Sequence, residues 1–187
     1  MRIISRKHRG RRIQMHDSAH LRPTSGRTRE AIFNILTHAS FGRDGESPLV
    51  GKRIVDIFCG TGGLGLEALS RGAEHVTFID QNGASLALAR QNVQTFKEEA
   101  NTQFIRSDST LLPPATFPCT VAFADPPYNK GMAAPALKSL KANGWLEDEA
   151  IVVLELHAKE LMQVPEGFEL MDERTYGNSK VLILKNI

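Results

Sequence analysis

Val55-Asp56-Ile57-Phe58-Cys59-Gly60-Thr61-Gly62-Gly63-Leu64-Gly65 begins as a buried strand, breaks into glycines and reopens as a helix. Gly60, Gly62 and Gly65 satisfy the spacing G-x-G-x-x-G, which permits a tight turn and close approach of backbone to a ligand. The spacing alone does not separate a ligand loop from a plain strand-to-helix turn. Its surroundings do more. Arg53 to Phe58 reads as a strand and Leu64 to Ser70 as a helix ended by Gly72. Beyond it come a strand over His75 to Ile79, a helix over Ala84 to Phe96, and strands over Thr102 to Arg106 and Thr120 to Ala124. A helix over Ala133 to Lys141 and a strand over Ala150 to Glu155 complete the alternation, which predicts a parallel sheet covered on both faces. The end differs. Phe168 to Thr175 and Lys180 to Lys185 are joined by Tyr176-Gly177-Asn178-Ser179, too short for a helical crossover, so they must pair antiparallel. The expected fold is α/β, a Rossmann-like, mostly parallel seven-stranded sheet ending in an antiparallel hairpin, the outline of a class I S-adenosylmethionine (SAM)-dependent methyltransferase.

Upstream, Ala31, Ile32, Ile35, Leu36 and Ala39 share one face of a helix expected from about Ser25 to Ala39, behind Arg22-Pro23-Thr24. Arg2 to Ile13 reads as a small hairpin or extended arm, and Gly42 to Pro48 as a polar linker. The expected division is a basic N-terminal arm plus helix over 1–40, which binds RNA, and a methyltransferase domain over 48–187.

The net charge of +2 conceals a polarised chain. Residues 1–30 carry nine Lys and Arg against Asp17 and Glu30, a net +7, whereas residues 31–187 carry 14 basic and 19 acidic groups, a net −5. A basic segment on an acidic body suits a phosphate-binding arm, because each neutralised phosphate releases counterions. No apolar run approaches the roughly 20 residues of a membrane span, and no signal-peptide core is present, so a cytoplasmic location is expected. Two cysteines, Cys59 and Cys119, make neither a disulfide framework nor a metal spacing. No metal is expected.

Within the glycine loop, Asp56 lies inside the strand end, where a carboxylate could take up the cationic methionine end of SAM directly or through water. Asp80 closes the second strand and is placed to accept ribose hydroxyls. Asp108, after the third, could receive the adenine amino group, or could cap its own turn. Phe58 and Gln81 complete the expected cofactor contacts.

Asp125-Pro126-Pro127-Tyr128 follows the fourth strand and therefore lies at the carboxyl edge of the sheet, where open α/β folds bind ligands. The composition suits methylation of a base amine. An exocyclic amine is a poor nucleophile because its lone pair is delocalised into the ring. Acceptors aimed at its hydrogens, here the Asp125 carboxylate and the Pro126 carbonyl, favour pyramidalisation and free that pair. Pro126 and Pro127 fix two consecutive φ angles and preorganise the loop. Tyr128 offers a planar face for an unstacked base.

With these stretches, and with Arg9-Gly10-Arg11, Arg22-Pro23-Thr24, Arg27, Arg29-Glu30, Phe33-Asn34, Gly62 to Ala73 and Asn143-Gly144-Trp145-Leu146, the chain resembles the RsmD-type bacterial 16S rRNA guanine-N2 methyltransferases over nearly its whole length. The resemblance implies methyl transfer from SAM to the N2 amine of one guanine in small-subunit rRNA, within an assembling ribosomal particle, by a monomer. It also implies that Arg9, Arg11, Arg12, Arg22, Thr24, Arg27 and Arg29 face substrate RNA, while Glu67 anchors helix to sheet. This chain departs from the family in three places: Cys59-Gly60-Thr61-Gly62 replaces the usual Ala-Gly-Ser-Gly, Asp80 a frequent Glu, and Arg6 a common Gly. Two other readings stand beside this one: methylation of N6-adenine or N4-cytosine in DNA or another RNA, and a non-catalytic rRNA-binding assembly factor.

Overall fold

The computed structural model describes residues 1–15, 25–38, 41 and 46–187. Its sheet has seven strands, β1 (Arg53–Ile57), β2 (His75–Asp80), β3 (Thr102–Arg106), β4 (Cys119–Ala124), β5 (Leu146–His157), β6 (Phe168–Tyr176) and β7 (Ser179–Asn186), with helices α1 (Gly26–His38), α2 (Gly63–Ser70), α3 (Gly83–Phe96) and α4 (Ala133–Ala142). The spatial order is β3-β2-β1-β4-β5-β7-β6. Strands β1 to β5 are parallel, while β7 runs antiparallel to both β5 and β6. The predicted class holds, closing hairpin included. Strand order reverses between β1 and β4, and the crevice outside the carboxyl ends of two such strands is where ligands settle.

Side chains alternate between two cores, as the period of two in a strand requires. Ile54, Val121, Phe123, Ile151, Val153 and Ile183 face α1, α2 and α3. Val55, Ala122, Ala124, Val152, Leu154 and Leu184 face α4. Helix α1 begins at a Ser25 cap whose hydroxyl accepts the Thr28 N–H at 3.0 Å. Its Ile32, Phe33 and Leu36 are fully buried, with Phe33 against Phe123 at 5.4 Å.

The N-terminal residues double back as expected, and they are packed onto the domain. Arg2 bridges Arg12, Ile13 N–H donates to the Met1 carbonyl at 2.9 Å, and a 3₁₀ turn over Arg6–His8 makes the reversal. Ile3 and Ile13 join the same core as α1 and α2. Glu67, 0% exposed, holds the segment by accepting the N–H groups of Ile4 at 2.8 Å and Ser5 at 3.2 Å. It anchors this segment, whereas the expected anchorage was to the sheet. His8 is buried against Phe96 and meets Glu98 through Nε2 at 2.5 Å. Arg6, standing where the family commonly has Gly, adopts φ +60°. The turn thus holds a non-glycine residue in the left-handed region.

Candidate active site

The glycine loop and the Asp125 loop leave neighbouring strands side by side, since Ile57 of β1 pairs with Ala124 of β4. Phe58 leaves β1 in a left-handed conformation, φ +56°, its N–H donating to Ser109 Oγ at 3.3 Å. A Cβ on Gly60, φ +53°, would meet nothing within 4 Å, so this stretch of backbone is open to a ligand. Gly65 serves a different purpose. A Cβ there would lie 2.3 Å from Phe78 Cε1 and 2.8 Å from Val76 Cγ1, so this glycine lets α2 lie close on the sheet. Gly62 caps α2 and has no side chain with which to do so.

Asp56 supplies the missing cap. Its Oδ2 accepts the Gly65 N–H at 2.9 Å, and at 2% exposure burial pushes its carboxyl up to about 8. Asp80 receives Gly60 N–H at 2.9 Å on one oxygen and Asn82 N–H at 2.8 Å on the other. It stays partly exposed, with Gln81 exposed beside it. Each Asp80 oxygen keeps a lone pair for a hydroxyl. Asp108 makes the turn that sequence allowed as its alternative role, accepting Thr110 N–H and hydroxyl on Oδ1, both at 2.8 Å. An open glycine backbone between a partly exposed Asp80 and a partly exposed Asp108 suits the sugar and base of an adenosyl group. Cys59, buried in the same loop, has its thiol pushed well above the ordinary range by burial. That disfavours the thiolate a nucleophile would need.

Sequence reasoning missed Asn92, whose side chain accepts Gln14 N–H at 2.8 Å and donates to the carbonyls of Gln14 and Thr61, both at 3.0 Å. It ties the N-terminal segment to the glycine loop. The only signal was a polar residue at a core-facing position of α3.

Asp125 is partly exposed, Pro126 buried and Pro127 exposed. Tyr128 is pinned. Its hydroxyl donates to Glu155 Oε1 at 2.9 Å and lies 3.0 Å from Ser179 Oγ, while His157 crosses its ring at 5.5 Å. Burial first, then the charges of Glu155 and Asp125, raise the phenol well above its usual range, so it remains a donor. The next residue, Asn129, donates its N–H to Glu160 at 2.8 Å.

The basic residues divide. Arg9 and Arg12 are exposed on the N-terminal segment, and Arg27 is exposed on the first turn of α1. Arg27 lines a cleft with Arg2 and Met15. Arg11 turns back onto the body, donating to the Thr95 carbonyl and lying 4.7 Å over the Phe96 ring. Arg29 corrects the expectation of an RNA contact. At 1% exposure it is shut inside, donating to the Arg2 carbonyl and Met1 sulfur beside Glu67, and a guanidinium so enclosed cannot reach a phosphate. Arg22 and Thr24 lie outside the described residues, as do Ala39 and most of the polar linker. A cleft of about 1120 Å³ between α4 and residues 160–167 contains none of the candidate residues. Among the described residues no cluster of His, Cys, Asp or Glu suits a metal ion, and no helix is long and apolar enough to cross a membrane.

The chain is similar to known proteins over nearly its whole length. The family described as Conserved hypothetical protein 95 matches residues 1–185. Ribosomal RNA small subunit methyltransferase D of Escherichia coli (strain K12) is 35% identical over 179 residues, covering 95% of this chain and 85% of its own. Its namesake in Haemophilus influenzae is 34% identical over 184 residues, covering 95% and 89%. The solved structure of yhhF from Escherichia coli superposes with a TM-score of 0.84 at 32% identity, covering 100% of this chain and 97% of that one.

Proposed function

From the premise that the chain belongs to the Conserved hypothetical protein 95 family, and with it to the RsmD-type rRNA methyltransferases, we propose that it methylates the exocyclic N2 amine of a guanine in small-subunit (16S) rRNA, with SAM as donor. The observation that carries this reading is the placement of Asp125 to Tyr128 at the carboxyl end of β4, beside the open glycine loop that follows β1.

SAM supplies an electrophilic methyl on its sulfonium. The chain's residues do the rest. Asp80, Asp108 and the Gly60 backbone would hold the nucleoside, together with Phe58 and Gln81. Asp56, which braces the loop through the Gly65 N–H, would accept from the cationic end directly or through water. At the acceptor, the Asp125 carboxylate and the Pro126 carbonyl take the two amine hydrogens and hold them while the nitrogen pyramidalises. Stabilising dipoles aimed in advance at developing charge are the largest single source of rate enhancement in many enzymes. Asp125 accepts hydrogen bonds from the amine throughout, and the proton that the methylated nitrogen gives up departs to solvent past this partly exposed carboxylate.

Tyr128 gives the flipped base a wall, a contact worth about 1–3 kcal/mol in single-strand recognition. Arg9, Arg12 and Arg27 offer exposed cations for phosphates. The substrate is a small-subunit particle, and the enzyme works as a cytoplasmic monomer. To test this, small-subunit particles and naked rRNA from cells lacking the gene are incubated with labelled SAM, and the modified nucleotide is mapped. A single N2-methylguanine in 16S rRNA is expected. Label on adenine N6, on cytosine N4 or only on duplex DNA would overturn the reading.

A further inference from the structure

Strand β5 carries one carboxylate that fold stability does not explain. Glu155 sits between Leu154 and Leu156, 2% exposed. One oxygen accepts the Tyr128 hydroxyl at 2.9 Å. The other, Oε2, is buried and receives no hydrogen bond among the described residues. A carboxylate kept in that state is costly, whereas an apolar residue at the same place would carry no such penalty.

Its location suggests why the cost is borne. Ala124 pairs with Leu154, so Glu155 lies one residue beyond the last pair of the two strands, beside the loop that Asp125 opens. Val121, Phe123, Ile151 and Val153 share a face of the sheet, and along β5 the alternation puts Glu155 on that face, at the end where Asp125 leaves β4. Ser179 opens β7 opposite His157, two residues beyond Glu155 on the same face. A phenol has one hydrogen, and the carboxylate takes it. Ser179 therefore donates to the Tyr128 oxygen, which gives the chain a direction from Ser179 through Tyr128 to Glu155. Anchors on two strands, with His157 across the ring, leave the side chain no room to swing.

We propose that Glu155, with Ser179, is a positioning residue for methyl transfer: together they fix the Tyr128 hydroxyl, and so the plane of the wall on which the target base comes to rest, before the base arrives. This deepens the methyltransferase reading and rests on it. Neither residue touches the base. Both act through Tyr128.

The test uses full-length protein, labelled SAM and small-subunit particles, with Glu155→Leu, Glu155→Gln, Ser179→Ala, Tyr128→Phe and the Glu155→Leu/Tyr128→Phe double variant. Glu155→Leu should unfold at no lower temperature than the parent and leave KM for SAM unchanged. Its kcat should fall on the order of tenfold to a hundredfold, as a misplaced reacting group costs. Glu155→Gln, which keeps an acceptor for the phenol, should recover most of that loss, and Ser179→Ala should lose less than Glu155→Leu. The double variant should be no slower than its slower parent. Wild-type kcat in Glu155→Leu, multiplied losses in the double variant, or a matching rise in KM for SAM would overturn the proposal. If Glu155→Leu does not fold, wild-type kcat in Ser179→Ala overturns it. Wild-type protein that methylates no RNA would instead overturn the reading beneath it.

Discussion

The carboxylate of Asp56, inside strand β1, accepts the backbone N–H of Gly65 on helix α2 at 2.9 Å. Gly65 is the third residue of the helix after its cap, the position whose N–H a Ser or Asp cap ordinarily satisfies. Gly62 occupies the cap with φ +81° and no side chain. The strand therefore caps the helix, and the glycine loop is strung between two points that this bond holds together.

Burial of Asp56 predicts a pH dependence. Its folded value of about 8 lies above the ordinary 3.8. Between the two the folded chain keeps a proton that the unfolded chain has released. The stability due to this group is thus full below the lower value, declines as pH rises and is lost through the upper. Asp56→Asn cannot ionise and keeps a carbonyl for Gly65. In urea unfolding across that range, wild type should lose stability relative to Asp56→Asn as pH increases; parallel profiles would refute the shift.

The two loop glycines should fail differently. Gly65→Ala places a methyl 2.3 Å from Phe78 Cε1, and Phe78 is stacked on Phe104 at 5.2 Å. Overpacking of this kind costs about 1–3 kcal/mol. Gly60→Ala meets no atom and costs about 1 kcal/mol from its left-handed backbone. Denaturant titration with SAM calorimetry should show Gly65→Ala dominated by lost stability and Gly60→Ala by lost SAM affinity.

Asp125→Ala should fold, bind SAM as wild type does, and lose transfer by a factor on the order of 10²–10³, as when one preorganised acceptor or donor is removed. Single-turnover kinetics with labelled SAM measures this. Full activity would eliminate Asp125 from the chemistry.

Arg12 and Arg29 should separate RNA affinity from stability. Arg12 is exposed, so Arg12→Ala should weaken RNA binding and lower the log-log salt slope by about 1. Arg29 is enclosed beside Glu67, and Arg29→Ala should cost about 3 kcal/mol of stability with the slope unchanged. Filter binding at several salt concentrations, alongside thermal melts, distinguishes them.

Arg6 at φ +60° marks a turn that glycine would adopt without strain. Arg6→Gly should stabilise the protein by about 0.5–1 kcal/mol, the relief of a left-handed non-glycine residue less the added freedom of the unfolded chain. A lower melting temperature would show that the Arg6 side chain contributes more than its backbone costs.

Much of this was readable from residue order. The alternation after Arg53 located all seven strands to within a few residues, because a buried parallel strand must be a short apolar run and a four-residue link can only reverse the chain. β5 was the least well bounded. It begins at Leu146, where Glu147, Asp148 and Glu149 are exposed and give no apolar signal. Among the site residues, Asp125 and Asp80 were legible as carboxylates at strand ends. Glu155 was visible only as a lone acid inside Ile151 to Leu156, because Tyr128 stands 27 positions from Glu155 and 51 from Ser179.

The sequence by itself determined the fold class and the place of the glycine loop and of Asp125 to Tyr128 at the carboxyl edge, since periodicity, turn chemistry and strand ends are local properties of the chain. Tertiary structure alone decided which polar groups serve the ligand and which serve the fold. Asp56 caps a helix, Arg29 is enclosed with Glu67, and Glu155 holds Tyr128, because burial and hydrogen-bond partners depend on residues brought together from distant parts of the chain. An exposed Arg12 and a buried Arg29 look alike in a list of residues; only packing leaves one in solvent and sets the other into the core.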